Sequence, residues 1–428
     1  MKFRIYTLGI IAGMLLGITG FAAATTFTVG NLSYTVLTED PAEVSVQGKS
    51  TSETTGDIVI PSTVTHEATE YQVSKIAAQG FSGYTNITSV NIPPTISIIG
   101  GGAFQGCTKL KKVYIHPQSR LMVLNSSTFS GCTKLALVTL PGGITEIKTD
   151  AFGNCSVLTQ IIAYSATAPS SIATSAFTGV TKENITVKVL STSAKTSFEA
   201  ANYFKAMKEV VVMPVELDEN GHNIDTLAKY NGLVADVHIS RDLKVGGWNT
   251  LCLPFDMNAA QISASLGTCD IEALTDASVS ASELELQFGK VTAIEAGVPY
   301  LVQVDAAASE LNVANVTLQT GVEDVWYGGV QFIGIYNPTV LAASNDLVYV
   351  AGNSLYCSSG GTLGGLRAYF DISGVPEAAH SSMRMSFGGT TTGMPCTEQQ
   401  NGCVKKLENG VIVIEREGVK YSVMGERL

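Results

Sequence analysis

The sequence predicts a solenoid of short parallel strands, one per repeat, followed by an all-β domain of the sandwich type. Three observations predict it. Five phenylalanines, Phe81, Phe104, Phe129, Phe152 and Phe177, recur 23, 25, 23 and 25 residues apart. Other residue types keep step with them in fixed columns. After Met213 the repetition stops, and the chain becomes short β-branched pieces broken by Gly, Asn, Asp and Ser. The length of 428 residues exceeds what one hydrophobic core organises, so two or more domains are expected.

The first element, residues 1–24, reads as a secretory signal peptide. Lys2 and Arg4 give a positive start, residues 5–21 are apolar, and Ala22, Ala23 and Ala24 are small residues suited to cleavage. No cysteine follows the apolar run, so a lipid anchor is not supported. No later segment has the ~20 apolar residues of a membrane-spanning helix. The formal charge is −11 without a run of basic residues, which argues against nucleic acid as a partner, because phosphate binding needs clustered Lys and Arg.

Residues 25–212 are expected to form the repeat domain with its caps. Three positions after each Phe come Tyr84, Cys107, Cys132, Cys155 and Val180; six after the first four come Ile87, Leu110, Leu135 and Leu158. Alternating pieces such as "KVYIH" and "LVTLP" read as strands. A period of this length means a solenoid, in which each unit buries its apolar side only against its neighbours. Cys107, Cys132 and Cys155 are therefore expected to be buried thiols rather than disulfides, since free cysteine behaves as a small hydrophobe. Gly83, Gly106 and Gly131 are placed for a tight turn. "IVIP" reads as a starting cap and "ITVKVL" as the last strand. A closing helix follows, capped by Ser193 and carrying Phe198, Ala201 and Phe204.

The segments "IGGGAFQGCTKLKKVYI" and "LNSSTFSGCTKLALVTLP" resemble the BspA-type leucine-rich repeat, found in surface proteins of Gram-negative gut and mouth anaerobes such as Bacteroides. The resemblance covers residues 56–212 and includes the closing helix before "KEVVVM". It implies a leucine-rich repeat fold and a secreted or cell-surface binding protein. Some such proteins are adhesins for host matrix proteins or for other bacteria. The family supplies no fixed binding residue to carry over.

Residues 213–403 are expected to be the sandwich-like domain. It opens on a connecting segment, "PVELDENGHNIDTLAKYNG", and "MNAAQISASLG" is marked as a short helix. Segments such as "GGWNTLCLPFD" and "GLRAYFDI" resemble a β-rich domain found behind these repeats in the same bacteria. Cys252 and Trp248 are expected in its core, and Cys396 and Cys403 are a candidate disulfide. Residues 404–428 read as a C-terminal hairpin tail, with "GVIVI" and "VKYSV" flanking "EREG". It resembles tails that serve secretion and surface attachment.

Little in the sequence marks chemistry. The five histidines, His66, His116, His222, His238 and His380, include no pair at metal-ligand spacing. His116 stands where other repeats have Pro and reads as a surface turn residue. No nucleophile elbow and no Cys-x-x-Cys pair occurs. "LDENGHNID" lacks the spacing of a calcium loop. No cofactor or metal is expected. Trp326 and Tyr327 are the candidate ligand contacts; as strand neighbours they point to opposite faces, so at most one belongs to the core. The leading expectation is a non-enzymatic binding protein that meets an extracellular protein, of the host matrix or of another bacterium, through its repeat face. The alternatives are a glycan-binding surface protein for nutrient capture and a hydrolase with an unrecognised carboxylate pair.

Overall fold

The computed structural model describes residues 25–280, 282–380 and 382–388, and the strands Thr390–Thr392, Cys403–Glu408, Val411–Arg416 and Val419–Ser422. Residues 1–24, expected to be a leader, and the expected pairing of Cys396 with Cys403 lie outside the described residues. The repeat half is a solenoid with two sheets. Seven strands, Gly56–Val59, Ile87–Ile92, Lys112–Ile115, Leu137–Leu140, Gln160–Ala163, Thr186–Val189 and Glu209–Val212, form an all-parallel front sheet. "ITVKVL" is thus not the last strand: Glu209–Val212, in "KEVVVM", pairs beyond it. The back sheet runs through the two-residue strands Ile98–Ile99, Val123–Leu124, Glu146–Ile147 and Ser171–Ile172. At its head an antiparallel meander, Thr26–Val29, Leu32–Glu39 and Ala42–Gly48, joins Thr69–Ile76. This meander caps the stack ahead of "IVIP".

The repeated columns lie between these sheets. The five phenylalanine rings stack in one file, with centroids 5.1, 5.6, 5.7 and 5.0 Å apart, and all are buried, as are Leu110, Leu135 and Leu158. Each turn bonds to the next: the Phe104 N–H donates to Thr128 O and the Phe129 N–H to Ala151 O. The position two after each Phe has positive φ, in Gly83, Gly106, Gly131 and Gly179 and in Asn154, the residue type that tolerates this conformation best after glycine.

Cys107, Cys132 and Cys155 are fully buried free thiols. Each Sγ–H donates to the carbonyl of the preceding unit's phenylalanine, Phe81, Phe104 and Phe129, at 3.1, 3.1 and 3.2 Å. The thiols thus tie one coil to the last as well as filling space. Burial pushes the Cys155 thiol up to about 12. The Cys132 thiol is raised by its contact with Cys107 and by burial. Because a reagent must reach the sulfur and all three are fully buried, alkylation of the native protein at pH 8 is expected to be slow at all three positions and to become fast in denaturant. Rapid native labelling would show that the column is open.

The closing helix, α1 (Thr192–Ala200), is capped by Ser191 rather than Ser193: Ser191 Oγ accepts from Ala194 N at 3.1 Å. Phe198 meets Phe204, which follows on a short 3-10 turn, with ring centroids 4.7 Å apart. The sequence marked as a connection is instead structured: the strand Val215–Asp218 is followed by α2 (Asn223–Tyr230). That strand pairs in parallel with Val234–Leu243, which pairs with Ala308–Thr317. The helix expected in "MNAAQISASLG" is α3 (Ala259–Leu266), with Asn258 and Gln261 forming a capping box and Gly267 at its end.

The rest is a sandwich. A six-stranded sheet holds Asn249–Cys252, Pro299–Val304, Cys269–Val279, Leu284–Lys290, Met383–Phe387 and Thr390–Thr392; a five-stranded sheet holds Val325–Tyr327, Val330–Ile335, Arg367–Asp371, Thr339–Ala351 and Ser354–Leu363. Leu286, Phe288 and Leu301 of the first pack against Phe332 and Phe370 of the second. Cys252 is buried as expected. Trp248 is only half-buried and stacks on Phe387 at 4.6 Å, because it precedes its strand and lies at the rim of the sandwich. The tail strands Val411–Arg416 and Val419–Ser422 pair antiparallel, and Cys403–Glu408 adds a third strand to them.

Candidate functional site

Side chains alternate along a strand, so each front-sheet strand sends one set to the core and one outward. The register places Val59 beside Asn91 and Asn91 beside Tyr114 on the outward side. Val59 is 65% exposed and Tyr114 38%. Thr139, Ile162, Lys188 and Val211 continue the row. The second domain covers this later part: Tyr164 and Leu190 belong to its core, with Ile162 and Met213 packed against them. Gly142 marks the close approach, since a Cβ there would lie 2.6 Å from Leu233 Cδ2. Gln118 Nε2 donates to Asn231 O just after α2.

A groove of about 460 Å³ remains between the uncovered outer face and α2. Its floor includes Val59, Asn91, Tyr114 and Thr139; Pro61, Pro93 and Pro117 line it, and Lys229 of α2 and Tyr164 complete it. Thr139 shapes the floor. Its Oγ1 accepts from Ile115 N at 2.6 Å and donates to Ile115 O at 2.7 Å. That side chain satisfies main-chain groups that the next strand would otherwise serve, and the two strands stay paired only through Leu137 and Val138.

His116 is half-buried in this groove, not a free surface turn residue. The reason is that α2 folds back over its coil. The Gln118 N–H donates to His116 Nδ1 at 3.2 Å, so the neutral ring carries its proton on Nε2. Burial, and then the nearby Lys229 charge, lower its pKa. Tyr164 is 6% exposed, and burial raises its phenol pKa. Among the described residues no group bonds to the Tyr164 hydroxyl, and Lys229 is in no ion pair but lies over the Tyr230 ring at 4.8 Å. Sequence reasoning missed Tyr164 and Lys229. For Tyr164 a signal existed: twelve positions after successive phenylalanines come Pro93, His116, Pro141 and Tyr164, and the two departures from proline both line the groove. Lys229 had none.

Trp326 and Tyr327 lie elsewhere, on the edge strand Val325–Tyr327 of the five-stranded sheet. Val325 packs inward, Trp326 faces outward opposite Gln331 and is 64% exposed, and Tyr327 is 38% exposed. Neither belongs to the core, because the strand is short and at the rim. Tyr349 and Tyr356 stack at 5.8 Å on two other strands of that sheet. Among the described residues no group of three or more His, Cys, Asp or Glu stands where it would hold a metal ion. No Asp or Glu lines the groove, so the paired carboxylates of a hydrolase are not found in it.

Residues 62–184 match the family pattern of the BspA type leucine-rich repeat region, in six copies. The solenoid is similar to that repeat. The match covers under a third of the chain and leaves the second domain unassigned. Among solved structures, a leucine-rich repeat protein of Bacteroides ovatus is 25% identical, over 45% of this chain and 43% of that one, at a TM-score of 0.29. A leucine-rich cell surface protein of Faecalibacterium prausnitzii is 24% identical, over 39% and 55%, at 0.27. The Treponema pallidum leucine-rich repeat protein is 20% identical, over 45% and 84%, at 0.34. The chain thus spans about half the length of the first two. At such TM-scores these likenesses carry no argument about function. No curated protein matches the chain.

Proposed function

We propose that the chain is a secreted or cell-surface binding protein without enzymatic activity, and that it takes an extracellular protein on the open outer face of its front sheet. One observation carries the reading: the row Val59, Asn91 and Tyr114 is left bare while the second domain covers the same face further along. Exposed apolar surface rimmed by polar groups marks interaction sites, and aromatic side chains are enriched in interfaces. The N-terminal apolar stretch and the repeat match support export and surface context. Protein arrays of host matrix and bacterial surface proteins, probed with the mature chain, test it. At least one protein is expected to bind, and Tyr114→Ser is expected to weaken that binding at least tenfold with Tm unchanged. Full binding by the variant would place the site elsewhere. The glycan reading has its own support in Trp326, whose exposed ring is suited to stacking on a sugar. A glycan array on which Trp326→Ala abolishes a signal that Tyr114→Ser leaves intact would favour it.

A further inference from the structure

We infer that the groove takes an extended acidic peptide segment of a partner protein, its apolar residues over Val59 and Tyr114 and one carboxylate between Lys229 and His116. This rests on the protein-binding reading above and adds the chemistry of the ligand. The chain carries a formal charge of −11, yet no acid lines the groove, and its charged or chargeable side chains besides tyrosine are His116 and Lys229. That contrast is one of charge complementarity, and it selects a negative partner. Three donors also line the one groove. His116 offers Nε2–H, because Gln118 N–H occupies Nδ1. Lys229 offers an ammonium with no carboxylate partner among the described residues. Tyr164, 94% buried by the complement of its 6% exposure, lines the groove with a hydroxyl that no described group satisfies. That hydroxyl opens into the groove, where a ligand oxygen can accept from it.

The groove's shape argues for an extended segment. It crosses the strands of Val59, Asn91, Tyr114 and Thr139 and reaches Tyr164. Neighbouring strands lie about 4.8 Å apart, so five of them span about 19 Å, or roughly six residues of extended chain. The far end carries no charge: Pro61 and Pro93 lack an N–H, Val59 stands beside them, and Ser62 and Asn91 are the neutral polar side chains there. The donors sit at the other end, so a bound peptide has a direction. The site is composite, since the solenoid supplies the floor and the second domain supplies the cation.

Selection of a displayed library of random twelve-residue peptides on the full mature chain tests this. The expected result is enrichment of Asp or Glu at one fixed position beside apolar residues, and at least tenfold weaker binding of the selected peptides to Tyr114→Ser. Repeating the selection on Lys229→Glu should replace the acid with Lys or Arg at that position. Lys229 is exposed and in no ion pair among the described residues, and its contact with the Tyr230 ring lies at the surface, so this variant is expected to stay folded with a Tm close to that of the wild type. Peptides that depend on Tyr114 but show no acidic preference, or acidic peptides that bind Lys229→Glu equally well, would overturn the inference and leave the protein-binding reading standing. If no selected peptide depends on Tyr114, both fall. If oligogalacturonate binds in a Lys229-dependent manner and peptides do not, the groove takes acidic sugars and the inference is wrong.

Discussion

Phe129→Ala is expected to destabilise the solenoid by about 3–5 kcal/mol, the usual cost of truncating a buried aromatic side chain. The ring sits in the middle of the file, 5.6 Å from Phe104 and 5.7 Å from Phe152, with no exposure. Removing it opens a cavity that two coils share, and neither can collapse into it without leaving its own register. Stability in a solenoid is close to a sum of unit and neighbour contributions. A central loss therefore weakens two interfaces at once. Phe81, next to the N-terminal cap, has Phe104 on one side and Tyr84 at its edge, and Phe81→Ala should cost less. Leu110→Ala, in the neighbouring column, should cost roughly 2–5 kcal/mol. Urea unfolding of the chain without residues 1–24 measures all three. A loss below about 1 kcal/mol for Phe129→Ala would mean that the file is loosely packed, and that the spacing of the phenylalanines reflects something other than a shared core.

The parts of this structure that were legible in the sequence are those with a repeat to compare. The phenylalanine, cysteine and leucine columns place the core of the solenoid because each coil must bury the same side chains against the next. The back-sheet strands were not legible for the opposite reason: Ile98–Ile99 and Val123–Leu124 are two residues long, too short to show alternation. The N-terminal meander has no repeat to align with. Glu209–Val212 looked like the end of a helix-closed stack, yet its main chain finds the edge of Thr186–Val189 and extends the sheet. In the second domain the apolar pieces announced strands, while their pairing order depends on contacts far apart in sequence. The groove has the same character. Tyr114 and His116 come from one coil, but Lys229 arrives from α2, more than a hundred residues later, and Thr139 contributes by bonding to Ile115. What makes these residues a site is the docking of two domains, which no local pattern records.

That docking has a small number of polar ties, and Asp236→Ala is expected to cut the main one. Asp236 stands on Val234–Leu243. Its Oδ2 accepts from Thr192 N at 3.1 Å and from the Thr192 hydroxyl, and its Oδ1 accepts from Asn315 N at 2.9 Å. Asn315 Oδ1 in turn accepts from Ser193 N at 2.9 Å. The first amides of α1 are thus satisfied by the second domain, with Ser191 serving Ala194. A carboxylate at this place also meets the positive end of the helix dipole. Hydrogen bonds to a charged group are worth about 1.5–3 kcal/mol each when buried; these lie at the surface, where water replaces part of the loss, so about 2 kcal/mol in all is expected. The Asp236 N–H still donates to Leu190 O at 2.8 Å, and both domains keep their own cores, so each should remain folded. The expected signature is local. Amide exchange at Thr192, Ser193 and Asn315 should speed up at least tenfold, while the amides of Phe104 and Phe129 in the coil ladder should keep their protection. Asp236→Asn, which keeps an acceptor and loses the charge, should fall between. Binding of any ligand that needs both Tyr114 and Lys229 should weaken as well, because the cation is carried by the domain that has been loosened. Unchanged exchange at Thr192 and Ser193 would show that apolar contact around Tyr164 and Leu190 holds the domains together alone, and that the cap from Asp236 adds nothing to it.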